Sequence, residues 1–356
     1  MSNRGRELWG RRDFLGRLAL AGTAGLLGLH SSRVAADLLG LQPRVAAAEP
    51  PPETPTIRLG WNRRHIEVCF APYFYAEEFL RQEGFTDVQW VNPGGIGMDA
   101  LVSAEIDFRL GFVGPWIRRI DAGAPVVMLA GQQVGCYMLF VNDPIRGVRD
   151  LRGRTIASAP PGSGDYLFLA SLLAYVGLDP RKDVNIVSHP GPQATQLFTE
   201  GKLDAYTVFS GTPPVAQELM KKKIGRVLVN TMTDRPWSQY FCCMTASNRD
   251  FVRRNPIATK RALRAMLKST DVIAREPARV AKFLVAKGYT DRYDYALQIL
   301  REIPFDKWRE YEHEDTVRFF ALRLREVEMI RKTPLQIITE GTDWRFLKEL
   351  KREMKG

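Results

Sequence analysis

From Thr56 onward, short apolar runs alternate with longer stretches of helical periodicity, the pattern of βα units that feed a parallel sheet. Thr56 to Trp61 alternates as a strand, Pro72 to Glu83 reads as a helix closed by Gly84, and Asp87 to Val91 is the next strand. Thr155 to Ala159 is again a strand. After Pro160-Pro161-Gly162-Ser163-Gly164-Asp165 an apolar helix runs from Tyr166 to Val176 and stops at Gly177. Val184 to Val187 and Gln193 to Thr199 continue the alternation. Two apolar β-rich runs, Tyr137 to Val141 and Tyr240 to Ala246, stand outside it and are candidates for hinge strands crossing between two lobes. Beyond Asn255-Pro256 the pattern is helical almost to the end, with Val317, Phe320, Leu324 and Val327 on one face. That tail is expected to pack on the first lobe.

A repeated segment sharpens the two-lobe reading. Ala104 to Pro115 and Gly201 to Pro213 match when Asp107 is set on Asp204, 97 positions later. In each, a helical stretch ends in a turn, a short apolar strand follows, and the strand stops at a Gly before a Pro. A Gly after a strand permits a sharp turn, and Pro suits the first turn of a helix. Strand ends of this kind in parallel α/β sheets face the crevice where ligands sit. Two copies imply two sheets whose carboxyl edges confront each other across a cleft, with Gly114, Pro115, Ser210 and Gly211 at its rim.

A chain of 356 residues has room for two cores. The net charge is +11, of which the first 48 residues supply 7 Arg against 3 acidic side chains. The scattered positive charge of the remainder, without an aromatic platform, argues against nucleic-acid binding. Cys69, Cys136, Cys242 and Cys243 form no CxxC or CxxxC pair, so neither a zinc ribbon nor a disulfide framework is expected, and no metal or cofactor is assigned.

The amino terminus looks like an address label. Gly10-Arg11-Arg12-Asp13-Phe14-Leu15 precedes an apolar stretch from Leu18 to Leu29, which resembles a twin-arginine export signal. The stretch is too short to span a bilayer, and Ala46-Ala47-Ala48 offers a small-residue cleavage site. Residues 1–48 therefore read as a signal peptide and 49–55 as a Pro-rich extended leader.

Taken together, these segments resemble the nitrate, sulfonate and taurine group of periplasmic solute-binding proteins, a group that includes thiamine-precursor binders. The resemblance rests on Ile57 to Trp61 leading into Pro72, on the two repeated segments, and on Val148-Arg149-Asp150-Leu151-Arg152-Gly153-Arg154-Thr155-Ile156 running into Pro161 to Asp165. Ser247-Asn248-Arg249-Asp250-Phe251-Val252 with Asn255-Pro256 adds to it. It covers about Thr56 to Leu284. It implies an α/β type II periplasmic-binding-protein fold, two doubly wound lobes joined by two crossing strands with a helical C-terminal tail. Lobe 1 would hold residues 56–138 and 245–356, and lobe 2 residues 139–244. The implied function is that of a monomeric, non-enzymatic periplasmic component of an ABC-type importer, delivering a small anion to an inner-membrane permease. The alternative is a relative of thiamine-pyrimidine synthase, an enzyme of this fold with a cysteine-rich segment, or a pyrimidine-precursor binder. Cys242-Cys243-Met244 and Cys136 would bring three sulfurs to the cleft floor, although the longer cysteine run of that enzyme is not present.

The candidate ligand contacts follow from these strand ends. Ser163, Gly164 and Asp165 open a helix, whose amides and dipole favour an anionic group, while Asp165 reads either as a helix cap or as a ligand contact. Asn62, Arg63, Arg64 and His65 follow the first strand, where a charge-assisted contact to carboxylate or sulfonate would be strong. Trp61, Trp116, Tyr166 and Trp237 are placed to stack on a planar ligand or to pack in the core. Gly94 and Gly95 would let backbone approach the ligand. No G-x-S-x-G, H-E-x-x-H or Walker pattern occurs.

Overall fold

A computed structural model describes residues 49–61, 67–92, 97–211 and 214–355, and Pro50–Gly356 forms one compact unit. The signal-peptide reading of residues 1–48 and the loop residues Asn62, Arg63, Arg64, His65, Gly94 and Gly95 lie outside the described residues.

Among the described residues, ten strands make two five-stranded sheets of the same design. The strands are β1 (Thr56–Gly60), β2 (Asp87–Val91), β3 (Phe108–Phe112), β4 (Val126–Val134), β5 (Tyr137–Val141), β6 (Thr155–Ala157), β7 (Asn185–Val187), β8 (Ala205–Phe209), β9 (Arg226–Asn230) and β10 (Phe241–Asn248). The first sheet has the order β2-β1-β3-β10-β4 and the second β7-β6-β8-β5-β9. In the first, β1 runs parallel to β2 and β3 while β10 is antiparallel to β3 and β4. The second repeats this, with β5 antiparallel to β8 and β9.

The repeated aspartates explain part of the likeness. Asp107 Oδ2 accepts from the Arg58 amide at 2.7 Å, and the Asp107 amide donates to the Arg58 carbonyl at 2.8 Å. Asp204 does the same to Thr155, at 2.8 and 2.9 Å. Each carboxylate also holds a neighbouring arginine, Arg58 at 2.6 Å and Arg154 at 3.3 Å. An Asp at the head of one strand thus registers the strand beside it.

Neither apolar run picked out as a crossing strand crosses. Tyr137–Val141 lies wholly in the second sheet and Phe241–Asn248 wholly in the first. The chain passes between sheets at Gly135–Cys136 and again between β9 and β10. A strand buried on both faces must be apolar whether or not it crosses, so composition cannot separate the two cases.

The Pro-rich segment forms neither helix nor strand, and it is docked. Glu53 accepts hydrogen bonds from the Ile257 and Ala258 amides at 2.9 and 2.8 Å, supplying the first turn of the helix Pro256–Arg275 with a negative charge. The helix His313–Glu326 of the C-terminal tail buries Val317, Phe320 and Leu324 as expected. It packs against Val113–Asp121 of the first lobe and equally against Gly164–Tyr175 of the second, so the tail bridges both.

His313 also marks the tightest spot of the first sheet. Its Nδ1 accepts from the Gly131 amide at 2.6 Å, its Nε2 faces the Trp308 carbonyl at 2.9 Å, and its ring stacks on Phe241 at 4.6 Å. Burial pushes the imidazole pKa down to about 3, with Lys351 adding to the effect. A Cβ on Gly131 would lie 2.2 Å from the Phe241 ring. Gly131→Ala is expected to destabilise the fold by about 1–3 kcal/mol in denaturant unfolding, because neither ring has space to retreat.

Candidate functional site

Between the sheets lies a cavity of about 540 Å³, walled by both lobes. Its first-lobe wall is the carboxyl end of β3, from Arg109 to Phe112, with Glu67, Phe70 and Pro115. The opposite wall is formed by the carboxyl ends of β6 and β8, with Ser158, Tyr206 to Phe209, and the helix start at Ser163, Gly164 and Asp165. Parallel strands therefore deliver both walls, as the topology requires.

Arg109 is the one permanent cation among the described lining residues. It is 8 % exposed, and its Nη1 donates to the Gly60 carbonyl at 3.1 Å. The guanidinium lies 5.2 Å from the Phe70 ring centre, and the aromatic contact fixes its direction. Two carboxyl groups share the cavity with it. Burial raises Glu67 to about 7 against the pull of Arg109, with Asp165 adding to the rise. Burial likewise raises Asp165 to about 6, opposed by a hydrogen bond from its own amide.

Tyr137 stands between the walls, stacked on Phe168 at 4.8 Å and edge-on to Phe112 and Phe209 at 5.1 and 5.0 Å. Burial holds its phenol far above the usual range, so it is a neutral donor. A Cβ on Gly164 would sit 2.5 Å from the Tyr137 hydroxyl, so glycine at this helix start is what admits the phenol. The Ser158 hydroxyl is buried and has no hydrogen-bond partner among the described residues, leaving it for a ligand.

Of the residues singled out in sequence, Pro115, Ser163, Gly164 and Asp165 line the cavity. Gly114 and Gly211 lie on the seam between the lobes. A Cβ on Gly114 would meet Leu167 at 3.2 Å, while the Gly211 carbonyl accepts from the Val68 amide at 2.8 Å. Ser210 is buried beside them, its amide donating to the Cys136 carbonyl at 2.7 Å. Trp61 packs against Tyr289, Phe74 and Trp90, and Trp116 is fully buried in the first lobe. Trp237 packs on Phe168 and Phe319, and Tyr166 sits one position beyond the lining residues, its amide donating to the Ser163 hydroxyl at 3.2 Å.

Sequence reasoning passed over Arg109, Glu67, Tyr137, Ser158 and Tyr206. For Arg109 and Tyr206 a signal existed, since each lies two residues after a repeated aspartate and so holds the same register in its lobe. Glu67 comes from a loop that periodicity does not mark, while Tyr137 opens an apolar run that reads as a strand but not as part of the site.

The four cysteines are free and buried on the floor of this region. Burial drives the Cys69, Cys242 and Cys243 thiols upward; burial also presses on Cys136, but hydrogen bonds from the other three and from Gln133 hold it well below the usual range.

Two α/β lobes facing each other across a ligand-sized cleft define the periplasmic-binding class of fold. Residues 50–285 match the model of the NMT1-like family, and the chain belongs to that family. Among solved structures, the periplasmic nitrate-binding protein NrtA from Synechocystis PCC 6803 is similar at a TM-score of 0.67 and 16% identity, covering 86% of this chain and 90% of that one. The periplasmic sulfonate-binding protein SsuA from Methylobacillus flagellatus KT gives 0.64 and 18%, with 84% and 94% covered. The desulfurization enzyme DszB gives 0.56 and 14%, with 84% and 99% covered. No curated protein matches the sequence. At these identities the likeness is one of fold.

Proposed function

We propose that this protein is the solute-binding component of an ABC-type importer, holding a small organic anion of the sulfonate or carboxylate class in the inter-lobe cavity. The observation that carries the reading is Arg109, a buried guanidinium oriented in the cleft wall opposite the amino end of the helix Gly164–Tyr175. A cavity of about 540 Å³ suits an organic ligand better than nitrate, and the aromatic rings around it supply apolar contact. The nitrate- and sulfonate-binding neighbours share the architecture. DszB shows that the fold also hosts catalysis, so the choice of binder rests on the site. A periplasmic location reached by the twin-arginine route, a monomeric state and an inner-membrane permease as partner belong to the same reading, and the two lobes would part at the passages between the sheets, with β1 to β4 and β10 onward in one and β5 to β9 in the other, rather than at residues 138 and 244.

Calorimetry with alkyl and aryl sulfonates, aromatic carboxylates, nitrate and pyrimidines tests it. A sulfonate or carboxylate is expected to bind at micromolar Kd or tighter. Arg109→Ala is expected to weaken that binding more than tenfold, about 1.4 kcal/mol or above, the scale of a charge-assisted hydrogen bond. Binding of no anion, or an unchanged Kd in the variant, would sink the proposal.

A further inference from the structure

The thiol cluster under the cleft has a geometry of its own. Cys136, Cys242 and Cys243 are buried, and their Sγ atoms all lie within 4.8 Å of one another. The Cys242 and Cys243 sulfurs are 3.7 Å apart. Two thiolates on one tetrahedral ion, each at about 2.3 Å from it, stand roughly 3.8 Å apart. Cys69 is buried beside them, its thiol against those of Cys136 and Cys243. Gln133 Nε2 donates to Cys136 Sγ at 3.8 Å and fixes that side chain from behind.

Consecutive residues of a regular strand point to opposite faces, which would part Cys242 from Cys243. The ladder between β4 and β10 is irregular at this point, with register shifts between Phe241 and Cys243 and between Cys243 and Met244. Such a bulge re-aims side chains, and here both sulfurs turn toward Cys136. Cys136 itself has φ +101°, a left-handed conformation that is strained for any residue bearing a Cβ. Two separate departures from regular backbone therefore converge on the same three sulfurs.

We propose that Cys136, Cys242 and Cys243, with Cys69 as a fourth donor, bind one soft d10 cation, zinc(II) or copper(I), and that this ion ties together the two chain passages between the sheets. Cys136 lies in the passage from β4 to β5, and Cys242 and Cys243 open β10 directly after the passage from β9. A donor set of sulfur alone selects thiophilic cations over magnesium or calcium. Its burial fits a closed structural site rather than a catalytic one with an open position. Cys243 borders the inter-lobe cavity, which gives the ion a route from solvent. Each thiol that coordinates exchanges its S–H bond for a sulfur–metal bond and releases a proton to water, and the ion keeps its oxidation state, so no oxidant or reductant takes part. Ligand in the cleft is not required for this, and the site stands or falls separately from the anion reading.

The test uses the reduced, full-length protein, equilibrated with zinc(II) and, under anaerobic conditions, with copper(I), then desalted. One ion per chain is expected to remain, and whichever of the two is retained identifies the cation. X-ray absorption of the loaded protein should show a first shell of three or four sulfurs, at about 2.3 Å for zinc. The Cys136→Ser, Cys243→Ser double variant should hold the ion at least tenfold more weakly with an unchanged circular dichroism spectrum. Should that variant misfold, the absorption spectrum of the unaltered protein decides alone. Failure to retain either ion, a first shell of nitrogen and oxygen, or isolation of the protein with Cys136 in a disulfide would overturn the proposal.

Discussion

Anion binding is expected to tighten at least tenfold, or about 1.4 kcal/mol, as the pH falls from about 8 to about 5. The cause is the pair of carboxyl groups that share the cavity with Arg109, Glu67 on the same wall and Asp165 on the opposite one. In the empty protein Glu67 titrates at about 7 and Asp165 at about 6. A bound anion raises both values further, because it favours the neutral form of each neighbour. Affinity is therefore gained as the pH drops through the raised, liganded values. The gain from Glu67 is complete below about 7 and that from Asp165 below about 6. Above both, two negative charges oppose the ligand and cancel part of the attraction of Arg109. The combined Glu67→Gln, Asp165→Asn variant should bind at pH 8 as tightly as the natural protein binds at pH 5, with a flat profile between. Titrations across this range check both statements, and a slope of opposite sign would mean that the ligand presents a cationic group to the carboxylates instead.

The second large effect concerns the strand-registering aspartates. Asp107→Ala is expected to destabilise the protein by about 2–3 kcal/mol, since it leaves the Arg58 amide and guanidinium without their shared acceptor. The Asp107 side chain is only 3% exposed, whereas that of Arg58 is 37% exposed, so water recovers part of the arginine's share. Asp204→Ala removes the same backbone bond in the second lobe, but its carboxylate is 32% exposed and Arg154 40%, so a loss of about 1 kcal/mol is expected there. Chemical denaturation of the two variants side by side measures the difference. Equal losses would show that the backbone bond alone matters and that the ion pairs contribute nothing.

The repeat around Asp107 and Asp204 was legible because it serves the backbone. It sets register, so it needs the same residue at the same place in both lobes. The strands β1, β2, β3 and β8 were legible for a similar reason, being short runs bounded by turn residues. The helix reading of Pro72 to Glu83 became two short helices, Ala71–Tyr75 and Glu77–Leu80, as Gly84 closed the segment at φ +99°. By contrast, β4 escaped notice. Its Gly131-Gln132-Gln133 interrupts the apolar run with residues buried for tertiary reasons: Gln132 bonds Thr245 and Thr270, and Gly131 makes space for Phe241. The cleft was harder still. Glycines and tryptophans draw attention in sequence, yet Trp61 and Trp237 pack with other rings, Trp116 is fully buried in the first lobe, and Gly114 and Gly211 serve the seam between lobes. Arg109 and Glu67 are ordinary charged residues whose importance arises only from where the strands leave them.

The placement of β10 between β3 and β4 has a consequence for synthesis. Both neighbours leave the ribosome early, but the strand that joins them, Phe241–Asn248, follows only after the whole second sheet has been made. Until then β3 and β4 offer unpaired, apolar edges, the kind that recruit other chains. A nascent chain that stalls short of Asn248 thus keeps those edges open, the condition under which a chain associates with others rather than folding.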